Sequence, residues 1–217
     1  NVEVTNEDLA VFSGEALSVS VMKNGEPYAY TFGDVLSEEG FYTFRLSDDF
    51  GNSATFSVTI DKSVSYSANI GNGLIASESV LIDSGEKLTV TVTKDNQVID
   101  YMFGQPLDEE GSYKVFMKDA YGNEKSLEFS VVKGVKRTLD YTLGENVNVL
   151  AIDRNGENIS PDGNRLNFTE SGLYTVTAEV DGKTYSFVLE LDSTAPTLEL
   201  IGVKDGGVSG KSVTLDN

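Results

Sequence analysis

The sequence predicts an all-β fold built from tandem β-sandwich modules, and three observations support this. The segment EEGFYTF at Glu38–Phe44 returns as EEGSYKV at Glu109–Val115 and as ESGLYTV at Glu170–Val176. Apolar and polar residues alternate between these copies, as in half-buried strands, and no helical period is sustained. Turn-forming residues recur about every 8 to 12 positions, a spacing typical of β-sandwiches.

The repeat divides the chain of 217 residues into small units. The predicted boundaries are residues 1–61 for module 1, 62–133 for module 2 and 134–192 for module 3, followed by a linker and the start of a further module at 193–217. Units of about 60 to 70 residues bury small cores, so each module depends on close packing. Since the chain begins with Asn and stops within a strand-like pattern, we expect it to be part of a longer polypeptide.

The spacing of glycines shows that modules 1 and 2 share one frame. Gly14–Gly40 and Gly85–Gly111 both span 26 positions, whereas Gly144–Gly172 spans 28. The sequence therefore predicts that module 3 is a divergent copy with two residues added in its middle.

Module 1 is predicted as two hairpins. Alternation at Leu17, Val19 and Val21 predicts a strand, and Asn24-Gly25 predicts a hairpin turn after it. The partner strand is predicted to run through Tyr28, Tyr30 and Phe32. The second hairpin is predicted from the faces Tyr42, Phe44, Leu46 and Phe56, Val58, Ile60, joined by a turn at Asp48–Asn52.

Modules 2 and 3 repeat this order with different residues. In module 2 we expect a strand at Leu88–Val92, a turn at Lys94–Asn96, a strand at Val98–Phe103 and a closing strand at Leu127–Val131. In module 3, Val147, Val149 and Ala151 are predicted to share the inward face. Pro161 and Asp162–Asn164 predict that the middle strand is shortened or replaced by a loop. Asp181-Gly182 predicts the last hairpin turn, before a closing strand through Tyr185, Phe187 and Leu189.

The composition excludes several functions. Without Cys or His, the chain has no thiol nucleophile, no Cys-ligated zinc and no Ser-His-Asp triad. A net charge of −19 argues against nucleic acid and against an anionic membrane surface, because phosphates would be repelled. No apolar run is long enough to span a membrane. The adjacent pairs Glu38-Glu39 and Glu109-Glu110 do not suit acid–base catalysis, because neighbours on an extended chain point to opposite sides.

The repeated Glu-x-Gly-x-Tyr segment resembles the entry to strand F of immunoglobulin-like folds. The Cys and Trp of antibody domains are missing, so the chain is more similar to the bacterial immunoglobulin-like repeats of cell-surface and secreted proteins. Their GxYTVTxxDxxGN pattern and D-x-T-A-P linker match residues 40–52, 111–123 and 192–196. The resemblance implies an elongated array of immunoglobulin-like sandwiches, with structural corner tyrosines at Tyr42, Tyr113 and Tyr174.

Five carboxylates are candidates for calcium. They stand in turns or at module junctions: Asp48, Asp49, Asp119, Asp61 and Asp192. Turn geometry alone also accounts for the turn residues, because a dedicated calcium loop supplies six or more oxygens. No other cofactor is expected.

Four tyrosines outside the repeated segment are candidates for sugar contact: Tyr28, Tyr30, Tyr101 and Tyr121. Aromatic rings supply apolar faces for such contacts, although most of these residues also fit core positions.

The sequence therefore favours a non-catalytic extracellular array that acts as a spacer or an adhesion segment of a bacterial surface protein. Its expected partners are other domains of the same polypeptide and an unidentified protein or glycan. The alternative is a set of carbohydrate- or protein-binding modules attached to a secreted polysaccharide-degrading enzyme. In that case module 3, the divergent copy, is the expected binding module.

Overall fold

The computed structural model describes residues 3–197, and over this range the chain consists of twenty strands and no helix. The strands form three immunoglobulin-like β-sandwiches, each with a larger sheet of four or five strands and a small sheet of two. The segment from residue 198 onward, which includes most of the predicted further module, lies outside the described residues.

Module 1 contains seven strands. Its larger sheet has the order β1-β7-β6-β3-β4, and β2 pairs with β5 in the small sheet. The entering strand β1 runs parallel to the closing strand β7, while the other pairs are antiparallel. The strands are β1 Glu3–Thr5, β2 Leu9–Ala10, β3 Ser18–Lys23, β4 Glu26–Tyr28, β5 Val35–Leu36, β6 Gly40–Ser47 and β7 Ser53–Ile60.

Module 2 repeats this sandwich and adds an entering segment. The larger sheet has the order β12-β11-β13-β14-β9, with β9 parallel to β14, and β8 pairs with β10. The strands are β8 Ser67–Ala68, β9 Leu74–Ala76, β10 Ile82–Asp83, β11 Thr89–Lys94, β12 Gln97–Ile99, β13 Gly111–Lys118 and β14 Glu124–Val131.

Module 3 has a four-stranded sheet of order β17-β16-β19-β20 and the pair β15-β18. Lys136 bridges Leu191 in parallel, so the entering chain lies beside the closing strand here too. The strands are β15 Leu139–Thr142, β16 Asn148–Arg154, β17 Glu157–Ile159, β18 Arg165–Phe168, β19 Gly172–Val180 and β20 Lys183–Leu191.

The predicted hairpin turns are present. Asn24 and Gly25 both have positive φ, at 52° and 89°, and Asp181 and Gly182 have 50° and 73°. These values suit a type I′ turn, which matches the twist of the flanking strands.

The strand predictions are wrong in two respects. Val147 and Val149 are buried as predicted, but Ala151 is not on the inward face of β16, because a bulge between Val149 and Ala151 shifts the alternation by one residue. Ile152 is therefore buried opposite Val176, and Ala151 is exposed. The bulge supplies one of the two residues that lengthen module 3.

The second correction concerns the strands after the first turn. The partner strand of module 1 ends at Tyr28, so Tyr30 and Phe32 lie outside it. The corresponding strand of module 2 ends at Ile99, short of the predicted Phe103. The corresponding strand of module 3 is not shortened, because β17 has three residues, like β4 and β12. Pro161 follows the end of β17, and the turn after it is closed by the Arg165 N–H donating to the Asp162 carbonyl oxygen at 3.1 Å.

The hydrophobic cores divide unevenly among the modules. Module 1 has its own cluster, centred on the fully buried Tyr42 and Phe44. The buried residues of modules 2 and 3 form one contiguous cluster that extends from Ile70 to Leu191. Modules 2 and 3 are therefore packed against each other through apolar side chains.

Candidate functional site: the junctions between modules

The repeated tyrosine binds the turn that precedes its strand. The Tyr42 ring is buried, and its hydroxyl donates to the backbone carbonyl oxygen of Glu38 at 2.8 Å. Burial raises the pKa of the Tyr42 hydroxyl, because the phenolate would lose its hydration. The same bond joins Tyr113 to Glu109 at 2.8 Å and Tyr174 to Glu170 at 2.9 Å.

The Glu and the Gly of the repeated segment both lie against a basic side chain on the neighbouring strand. Glu38 forms an ion pair with Lys23, and this contact lowers the pKa of Glu38. The Lys23 side chain lies across Gly40, where a Cβ would come within 2.8 Å of Lys23 Cε, and Gly40 has φ of +151°. The positive φ is what favours glycine, because L side chains rarely adopt it, whereas the end of the Lys23 side chain can move aside for a Cβ. Equivalent pairs are Lys94–Glu109 across Gly111 and Arg154–Glu170 across Gly172.

The two carboxylates of each adjacent Glu pair diverge. Glu38 binds within module 1, whereas Glu39 Oε1 accepts the backbone N–H of Lys62, the first residue of module 2, at 2.6 Å. Glu110 likewise reaches the start of module 3, where it pairs with Lys136 at 2.5 Å. The second Glu of each pair therefore ties its module to the next one.

An aspartate closes the turn between the last two strands of module 1, and another aspartate closes the equivalent turn of module 2. Asp48 Oδ1 accepts the backbone N–H of Phe50 at 2.9 Å and of Asn52 at 2.8 Å. The side-chain amide of Asn52 also donates to Asp48 and lowers the pKa of its carboxyl. Asp119 makes the same contacts with Tyr121 and Asn123. We call Asp48–Asn52 and Asp119–Asn123 the aspartate turns.

Modules 1 and 2 meet at the second aspartate turn. Asn123 donates its side-chain N–H to the Asp61 carbonyl oxygen at 2.9 Å. Burial raises the pKa of the Asp61 carboxyl, and the negative charges of Glu86, Asp119 and Glu39 raise it further. The Lys62 side chain donates to the Ser37 carbonyl oxygen at 2.7 Å and pairs with Asp8.

The five calcium candidates are not assembled into one site. Asp61 and Asp119 lie near each other at the first junction, while Asp48 and Asp49 stand at the opposite end of the β6–β7 hairpin. Asp192 accepts the Thr194 backbone N–H at 2.9 Å, beyond the end of β20. Within residues 3–197, no group of three or more acidic side chains is arranged to hold a metal ion.

Modules 2 and 3 meet through a close backbone contact. The Gly144 N–H donates to the Gly73 carbonyl oxygen at 2.9 Å, and a Cβ on Gly73 would lie 2.5 Å from the Gly144 Cα. The hydroxyls of Ser130 and Tyr141 lie 2.8 Å apart across the same junction. A glycine is needed on both sides, because any side chain would separate the two backbones.

A polar groove of about 610 Å³ opens beside this contact. We call it the junction groove, and it is bordered by Tyr66, Asn72 and Lys125 from module 2 and by Asn146, Lys183 and Tyr185 from module 3. Burial raises the pKa of Tyr66, and the nearby Tyr185 and Asp181 add to this effect. Tyr185 also packs on Gly71, where the lack of a Cβ leaves room for the ring.

Three of the four predicted sugar-contacting tyrosines pack within their own modules. Tyr28 contacts Tyr42 edge to face at 5.6 Å between ring centroids. The Tyr30 hydroxyl accepts the Val11 N–H at 2.8 Å, and the Tyr101 hydroxyl donates to the Ile82 carbonyl oxygen at 3.2 Å. Tyr121 is 43% exposed, in the second aspartate turn.

The sequence did not single out the aromatic pair of the junction groove. Tyr66 lies in an entering segment that has no counterpart within the described part of module 1, and the sequence places Tyr185 only on the closing strand of module 3. The one available signal was Tyr66 itself, an aromatic residue among the serines of Ser63–Ser67, outside the repeated frame.

Comparison with known proteins finds similar solved structures but no similar sequence. No protein-family model and no curated protein sequence matches the chain. A three-domain titin fragment, I67–I69, has 13% identity and a TM-score of 0.33 over 89% of this chain and 96% of its own. Sidekick-1 immunoglobulin domains 1–4 have 14% identity and a TM-score of 0.33 over 88% and 70%.

A third likeness is to the Bacteroides ovatus protein SGBP-B of a mixed-linkage glucan utilization locus, solved with a heptasaccharide. It has 12% identity and a TM-score of 0.25, over 94% of this chain and 67% of that one. Identities and scores this low carry no argument about the function of this chain. Within residues 3–197, no helix has the length and apolar character needed to cross a membrane.

Proposed function

We propose that the chain is a non-catalytic segment of a larger extracellular protein, in which tandem immunoglobulin-like modules hold other domains at a fixed distance and orientation. The resemblance to bacterial immunoglobulin-like repeats supports a bacterial surface protein as the parent. The partners are then the neighbouring domains of the same polypeptide and a protein or glycan bound by them.

The observation that carries this proposal is the packing of modules 2 and 3. They share one buried cluster, and their backbones touch at Gly73 and Gly144. A flexible linker would leave two separate cores, whereas this junction restricts rotation between the modules. Restricted rotation is the property that a spacer needs in order to present a distant domain.

The junction between modules 1 and 2 is of a different kind. It is made of hydrogen bonds and ion pairs, through Asn123, Glu39 and Lys62. Polar contacts that are exposed or only partly buried open at a lower cost than a buried apolar interface. We therefore assign the array one stiff unit, modules 2 and 3, with module 1 joined to it by a weaker junction.

The charge also suits an array on a crowded surface. A net charge of −19 makes neighbouring copies repel one another and limits association.

Small-angle X-ray scattering from the full chain tests the spacer. A compact globule of 217 residues would have a radius of gyration of about 17 Å. Three modules in series require a value clearly above this and a distance distribution with a long tail. A radius near 17 Å would contradict the proposal.

A second candidate function is carbohydrate or protein binding, as in accessory modules of a secreted polysaccharide-degrading enzyme. The observation that favours it is the junction groove, which brings two tyrosines and several polar side chains from different modules together.

A further inference from the structure

We propose that the junction groove binds a short oligosaccharide that carries an acidic sugar. This inference rests on the second candidate function and is independent of the spacer role. It places the binding site between modules 2 and 3 rather than on the face of one module.

The size and the aromatic lining of the groove suit a small glycan. Its volume of about 610 Å³ falls in the range of roughly 300–1,000 Å³ typical of ligand sites. Tyr66 and Tyr185 are half-buried and come from different modules. Both rings pack partly against the buried cluster, and their exposed parts border the groove, where they can contact the C–H groups of a sugar ring.

The tyrosine hydroxyls remain open to a ligand. Neither Tyr66 nor Tyr185 donates its hydroxyl to another group of the described chain, in contrast to the corner tyrosines. A tyrosine hydroxyl is protonated at neutral pH, and burial raises the pKa of Tyr66 further, so this hydroxyl can donate to a sugar oxygen.

An oriented amide adds to this set. Asn72 Oδ1 accepts the Glu128 backbone N–H at 2.7 Å, which fixes the amide plane and leaves its NH₂ group for a ligand. Asn146 is exposed on the opposite wall. Amides supply both donors and acceptors, as sugar hydroxyls require.

The charges of the groove favour a carboxylate on the ligand. Lys125 and Lys183 are both exposed, and neither forms an ion pair with any carboxylate in residues 3–197. Asp181 is the acidic residue on the groove wall. Two unpaired lysines in a chain of charge −19 therefore make this a local site for an anion, and a uronic acid supplies one beside its hydroxyls.

The test is an NMR titration of the full chain, in which amide shifts are followed as tetragalacturonate is added. We expect shift changes to concentrate at Tyr66, Asn72, Asn146 and Tyr185. The double variant K125Q/K183Q should bind about tenfold or more weakly, since two charge-assisted hydrogen bonds are lost. Both lysines are exposed, so the variant should keep the parent spectrum.

The matched control is Lys87→Gln, which removes another exposed lysine of module 2 outside the groove and should leave binding unchanged. Tyr66→Phe separates the hydroxyl from the ring and should weaken binding without altering the fold.

Four results would overturn the proposal. The first is the absence of shift changes at the groove at millimolar tetragalacturonate, and the second is equal binding by parent and K125Q/K183Q. The third is equal binding of tetraglutamate, which would show attraction of carboxylates without recognition of a sugar. The fourth is equal binding of neutral cellotetraose, which would contradict the acidic sugar. None of these results changes the scattering profile, so the spacer role is tested separately.

Discussion

Substituting Gly144 by alanine should separate modules 2 and 3. Gly144 does not have a positive φ, so alanine fits its backbone conformation and the effect comes from packing alone. The new Cβ would lie 2.8 Å from the Gly73 Cα, a backbone atom that cannot rotate away. The two backbones must therefore move apart.

The loss of stability expected for Gly144→Ala has two parts. Overpacking a well-packed site costs about 1–3 kcal/mol. Separation also weakens the hydrogen bond from the Gly144 N–H to the Gly73 carbonyl oxygen, which contributes about 1 kcal/mol. We therefore expect the free energy of unfolding of modules 2 and 3 to fall by about 2–4 kcal/mol.

Guanidinium unfolding of the full chain, followed by residue-resolved NMR, measures this loss. The matched control is Gly85→Ala in module 2, because a Cβ on Gly85 has no neighbour within 4 Å and no positive φ is required. This control should change the free energy by less than about 1 kcal/mol. If Gly144→Ala were no more destabilising than Gly85→Ala, the close contact between the modules would be refuted.

Three further predictions concern the corner, the first junction and calcium. Tyr113→Phe should lower the free energy of unfolding by about 1 kcal/mol, because one hydrogen bond is lost, and Tyr113→Ala should lower it by about 3–5 kcal/mol, because a cavity forms. Denaturant unfolding measures both losses. Losses no larger than that of the exposed Tyr121→Ala would contradict the corner role. Because burial raises the pKa of Asp61, its ionisation lowers stability as the pH rises through that pKa. Asp61→Asn should therefore raise the melting temperature at pH 7 but not at about pH 3, whereas the exposed control Asp49→Asn should raise it at neither pH. Equal melting temperatures of Asp61→Asn and the parent at pH 7 would refute this. The carboxylates of the aspartate turns already accept backbone N–H groups, so millimolar calcium or EDTA should leave the melting temperature unchanged, and a rise with calcium would show a site.

The fold class was predictable because each repeated segment is specified by contacts that are local in sequence or within one hairpin. The spacing of Glu38, Gly40 and Tyr42 follows from an ion pair, a close side-chain contact and a hydrogen bond that all occur at one turn. A period of two and the positive-φ turn residues then place the neighbouring strands.

The bulge of module 3 was not predictable from alternation. The segment Val147–Ile152 is apolar at every position except Asn148, so two different registers present apolar residues to the core. Pairing with β19 decides between them, because Ile152 lies opposite Val176. A pattern of period two cannot reveal an extra residue within a run that is apolar on both faces.

The junction groove was not predictable because it depends on how two modules pack. Gly73 and Gly144 lie far apart in sequence, and Gly73 is outside the repeated frame. Gly144 takes the frame position of Gly14 and Gly85, where a Cβ would meet no neighbour within 4 Å, so the frame does not mark its contact. Tyr185 follows the alternation of a core strand, yet its ring packs on Gly71 of the preceding module. Contacts between copies of a repeat require coordinates or covariation.

Residual dipolar couplings of the full chain test most directly whether modules 2 and 3 form one stiff unit. The shared core predicts that a single alignment tensor fits the amide couplings of residues 62–133 and 134–192 together. Two different tensors, with independent magnitudes for these two ranges, would show that the modules reorient separately and would contradict a stiff unit.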